Sequence, residues 1–120
     1  LACDAVVNLR YPFRHQMSAT LMRAIAAGKP VVITDVAAWD HFPVAFCLRV
    51  VADEGDEREV DALAGHLIDL ARDPARRREM GAAARRFWQE NATPARMADG
   101  YFRVLHEVTG RRTEEPEPDE

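Results

Sequence analysis

The residues best equipped for chemistry crowd into one short stretch. Arg10, Arg14, His15 and Gln16 precede Met17, Ser18 and Thr20. Two guanidinium groups four residues apart can fork onto phosphate oxygens. A serine that opens a helix adds free backbone N–H groups and the positive end of the helix dipole. Together these suit a phosphate. The same residues also fit a solvated turn closed by an N-capping serine, and spacing alone leaves both readings open.

Other reactive side chains are more scattered. Asp35, after an apolar run, reads as an acidic helix cap or turn former. Asp40 and His41 are adjacent, so they point in different directions on a surface loop. His66 and His106 lie on helix-like stretches with no second histidine or cysteine at i+3 or i+4, so no metal site is expected. Cys3 and Cys47 lie in or beside apolar runs without a CxxC partner, and read as buried free thiols of a reducing compartment.

The elements that must position these groups alternate in the first half. Residues 5–9 and 31–34 are short β-branched runs, apolar almost throughout, as expected of strands covered on both faces of a parallel sheet. Between them, residues 18–27 read as a helix with Leu21, Met22, Ile25 and Ala26 on one side. Ser18 is its N-cap and Gly28 its stop, with Pro30 closing the turn. A third strand spans 45–51, after a loop carrying Trp39, Phe42 and Pro43. The second half is helical. Residues 57–71 carry an apolar stripe of Val60, Leu63, Ala64, Leu67, Ile68 and Leu70. Asp73-Pro74 and Thr93-Pro94 open two further helices, to about 90 and about 108, the second with Met97, Tyr101, Val104 and Leu105 inward. The fold expected is α/β: a partial Rossmann-like parallel sheet of three strands with C-terminal helices. So narrow a sheet has edges to cover, by further strands or by a partner.

Composition narrows the function classes. Hydrophobic residues make up 48% and charged residues 30% of the 120, and no apolar run approaches the ~18 residues of a membrane span. No basic-then-apolar secretion pattern opens the chain, which begins at Leu1 as if cut from a longer one. The formal charge is −4, of which residues 111–120 carry −3; that polar, proline-bearing segment reads as an acidic disordered tail. Residues 1–110 are nearly neutral, which argues against nucleic acid as a partner. Arg76, Arg77, Arg78, Arg85 and Arg86 form a helical basic cluster, read as a solvated face. Trp39, Phe42, Phe87, Trp88 and Tyr101 read as core or interface aromatics.

A resemblance gives the first half a sharper reading. Residues 5–12, Ala-Val-Val-Asn-Leu-Arg-Tyr-Pro, and 18–36, Ser-Ala-Thr-Leu-Met-Arg-Ala-Ile-Ala-Ala-Gly-Lys-Pro-Val-Val-Ile-Thr-Asp-Val, resemble family-4 glycosyltransferases. These are retaining, nucleotide-sugar-dependent enzymes of the GT-B fold. The likeness takes in Phe42-Pro43, Leu48-Arg49-Val50, residues 70–74, and Met80-Gly81 with Ala83, Ala84 and Arg85, about residues 1 to 107 in all. The helix-Gly-x-Pro-Val-strand block is its most specific part.

The resemblance implies that residues 1–110 are the C-terminal part of a nucleotide-sugar-binding domain, half of a GT-B donor domain. Donor contacts would then come from Arg10, His15, Gln16, Met17, Ser18, Thr20 and Arg23. The family commonly places two glutamates, E-x7-E, near the sugar and the ribose. Arg23 stands at the ribose position, as in a branch of the family with Glu-Thr-Ser-x-x-Leu-x-Arg-Ala. Gln16-Met17-Ser18 falls on that branch's Glu-Thr-Ser, and His15 falls on the first glutamate of E-x7-E. Neither register puts a carboxylate in the loop, so weakened or altered donor use, or a degenerate site, is expected. The donor would be a nucleotide-diphosphate sugar, with no metal. The acceptor, a glycan or lipid-linked sugar, would sit in an N-terminal domain, and the basic pair facing the leaving diphosphate would precede Leu1. This piece alone is thus expected to carry out no transfer. A cytoplasmic location, with peripheral contact to anionic headgroups at the inner membrane face, follows from the same likeness. The alternative is a non-catalytic Rossmann-like domain whose degenerate site serves protein interaction.

Overall fold

The computed structural model describes residues 2–12, 17–52 and 57–110. His15, Gln16, Arg14 and the acidic tail at 111–120 lie outside the described residues. Three strands, β1 (Val6–Asn8), β2 (Val31–Thr34) and β3 (Cys47–Val50), form a parallel sheet in the order β1-β2-β3. Val6 pairs with Val31 across the first ladder, and Val31 with Cys47 across the second. All four residues of β2 are buried, which accounts for the unbroken apolar run that parallel sheets favour.

Four helices complete the fold: α1 (Ala19–Ala26), α2 (Glu57–Arg72), α3 (Pro74–Asn91) and α4 (Pro94–Thr109). Their starts are written locally. Ser18, Asp73 and Thr93 each accept a hydrogen bond from the backbone N–H three residues on, and proline opens α3 and α4. The end of α1 is a full Schellman closure. Gly28 N–H donates to Ile25 O and Lys29 N–H to Ala24 O, with Gly28 at φ 66°. The apolar side of α1 comprises Leu21, Ala24 and Ile25, fully covered; Met22 and Ala26, read as inward, are half-buried.

α1 packs on β1 and β2, α2 on β3, and α3 spans α1 and α2. The α1–α3 junction is backbone against backbone. A Cβ on Gly81 would stand 2.4 Å from the carbonyl oxygen of Gly28, so only glycine lets the helices approach this closely. Arg85 reinforces the junction by donating to Ala26 O and lying 5.1 Å over the Trp88 ring. Arg77 donates to Leu70 O and Ala71 O at the end of α2. These two arginines therefore close helix ends, where the sequence suggested a merely solvated face. Phe87 of α3 meets Phe42 and Phe46 at 5.7 and 5.2 Å between ring centroids, tying down the β2–β3 loop.

The last helix departs from expectation. Met97, Tyr101, Val104 and Leu105 do not face a core: they are between 54% and 67% exposed, and α4 has no buried residue. Its main packing partner is α3, and nothing among the described residues covers its apolar side. Amphipathicity specifies a face but not an occupant. The stripe on α2 is also only partly used, with Leu70 buried and Leu63 half-buried while Val60, Leu67 and Ile68 remain exposed. No helix among the described residues is long and apolar enough to cross a membrane.

Candidate functional site

Ligands of open α/β sheets gather beyond the carboxyl ends of the strands. At that end, β1 leaves through Leu9 and Arg10 to a cis Tyr11–Pro12 bond, and α1 begins at Ser18. Arg10 ties the two ends of this excursion together. Its backbone N–H donates to Thr34 Oγ1 at 2.7 Å, and its Nη2 donates to Ser18 Oγ at 3.1 Å. Ser18 Oγ also accepts from Leu21 N–H at 3.2 Å. Three elements, the ends of β1 and β2 and the start of α1, are thus pinned by three side chains.

The burial explains why. Ser18 and Thr34 are the two buried polar residues of the described core, and each has hydrogen-bond partners there. Arg10, half-buried, brings a permanent charge to the helix start. By helix geometry the amides of Ala19 and Thr20 have no intrahelical acceptor. The guanidinium and these amides make this turn electropositive. One polar group lies two residues before Arg10 in the chain. Asn8, the last residue of β1, has a buried Oδ1 with no hydrogen-bond partner among the described residues.

Of the residues read from the sequence, the structure brings Arg10 and Ser18 into contact. Met17 and Thr20 are exposed at the start of α1, and Arg23 is exposed in its last turn, three residues after Thr20 on the same side of the helix. His15 and Gln16 lie outside the described residues. Thr34 and Asn8 were missed. Their signal was a polar residue closing an otherwise apolar strand, once in each of β1 and β2.

Comparison with protein-family models, curated proteins and solved structures finds no match for this chain.

A second charged group stands at the same end of the sheet, and it is structural. Arg49 Nη1 meets Asp35 Oδ1 and Asp40 Oδ1, each at 3.1 Å, and Nη2 donates to Trp39 O at 2.8 Å. Asp35 is therefore an ion-pair partner, not a helix cap: the 3-10 turn Ala37–Trp39 starts from Val36 without a side-chain cap. Asp40 is held by the same guanidinium through Oδ1. His66 sits 3.0 Å from Arg49 O through Nε2. Burial, partly offset by Arg49, pushes the Cys47 thiol up from 9.0 to about 11, so it stays protonated and unreactive at neutral pH. Among the described residues no group of three His, Cys, Asp or Glu side chains could hold a metal ion.

Proposed function

We propose that this chain is the donor-binding part of a nucleotide-sugar-dependent glycosyltransferase of the GT-B type, and that the turn from Arg10 to Thr20 grips the donor diphosphate. The observation that carries the reading is the Arg10–Ser18 hydrogen bond at the carboxyl end of the sheet. It sets a guanidinium beside the α1 amides in the very segment whose sequence resembles family-4 enzymes. Diphosphate oxygens would take the Arg10 charge and the Ala19 and Thr20 amides. Retaining transfer, the acceptor glycan or lipid-linked sugar, and a cytoplasmic setting with peripheral membrane contact belong to the same proposal and rest on the resemblance.

The experiment is a calorimetric titration with UDP, GDP and their sugars, repeated on Gln16→Glu. In a working donor loop the new carboxylate changes donor affinity. An unchanged Gln16→Glu variant that binds no nucleotide favours a second reading, a degenerate domain kept for protein contact. The apolar sides of α2 and α4, left uncovered among the described residues, are the observation on its side.

A further inference from the structure

The amino ends of the strands hold a separate groove of about 400 Å³, within the roughly 300–1,000 Å³ typical of small-molecule sites. Three cations line it, Lys29, Arg77 and Arg78, against one acid, Asp4. Arg77 is fixed in advance, because its Nη1 closes α2 on the carbonyls of Leu70 and Ala71. Its other N–H groups are left over by those two bonds. Lys29 is half-buried and leaves a locked turn, its own N–H bonded to Ala24 O. Among the described residues neither Lys29 nor Arg78 has an ion-pair partner. The groove reaches the Gly28–Gly81 contact, where backbone meets backbone without a Cβ, so this part of its wall cannot collapse by rotamer change.

Three cations lining one groove, two of them without an ion-pair partner among the described residues, suit a compact, multiply charged oxyanion. We propose that this groove binds a phosphate dianion, either as the free ion or as the phosphoryl group of a small phosphomonoester, held by Arg77, Arg78 and Lys29. It lies at the opposite end of the sheet from the Ser18 turn, so it stands or falls independently of the donor reading.

The test is an ¹⁵N NMR titration of the protein with inorganic phosphate and with phenyl phosphate, at ionic strength matched with chloride. The expected result is saturable shifts of the Gly28, Lys29 and Ala82 amides. Lys29→Gln/Arg78→Gln should weaken them about tenfold, the effect of losing charge-assisted contacts. Asp4→Asn should tighten binding. Shifts with inorganic phosphate alone assign a free-ion site, and shifts with both probes assign a phosphomonoester site. Absence of saturation, shifts confined to residues 18–21, or unchanged affinity in a double variant with a wild-type amide spectrum overturns the proposal.

Discussion

α1 and α4 make an instructive pair. Both open on a side-chain cap, Ser18 and Thr93, and both stop at a left-handed glycine, Gly28 and Gly110. Each carries an apolar stripe. Yet Leu21 and Ile25 of α1 are wholly buried, while Met97, Tyr101, Val104 and Leu105 of α4 are more than half exposed. Capping decides where a helix begins and ends; only an opposing surface decides what it buries. α1 has β1, β2 and α3 around it, so its first turn is held in place and can serve as a site. α4 contributes an amphipathic face and no core.

The sharpest way to break this contrast is at the α1–α3 junction. Gly81→Ala drives a Cβ into the Gly28 carbonyl and should cost about 1–3 kcal/mol, read as a lower denaturant midpoint. Next comes the core beneath. Cys47 keeps its proton in the folded chain up to about pH 11, whereas the unfolded thiol loses it near 9.0. The unfolded state then binds fewer protons, so stability falls as pH rises from about 9 to 11, by up to roughly 2–3 kcal/mol. The difference between wild type and Cys47→Val should narrow or reverse over that window; a constant difference contradicts the burial. Ser18→Ala removes the α1 cap and the acceptor for Arg10, and about 1–2 kcal/mol of stability. On α4, Tyr101→Ser or Leu105→Ser should change stability by no more than about 0.5 kcal/mol. A loss of 2 kcal/mol or more there would show that α4 has a packing partner.

What was legible in the sequence was local. Ser18, Asp73, Thr93 and Gly28 act through neighbours three to five residues away, so their types and spacing were enough. The run Val31–Thr34 was legible for a different reason: a strand covered on both faces of a parallel sheet is apolar almost throughout. Arg49 was opaque, because its bonds to Asp35, Asp40 and Trp39 depend on the β2–β3 register that pairs it with Ile33. Thr34 was missed likewise: its hydroxyl meets Arg10 only after β1 and β2 align. The inward reading of α4 failed since an apolar stripe carries no information about what lies opposite. At the site, Arg10 and Ser18 were visible as residues, but their contact across eight positions was not.

Arg10 is the residue on which the proposed donor site depends: its guanidinium bonds Ser18 at the helix start, where it would supply the charge for a diphosphate. Calorimetric titration of wild type and Arg10→Gln with UDP and GDP tests this most directly. Saturable binding of at least one nucleotide, weakened about tenfold or more in Arg10→Gln, is the predicted result, the scale of one lost charge-assisted hydrogen bond. Equal affinity in the two proteins, or no binding by the wild type, contradicts it.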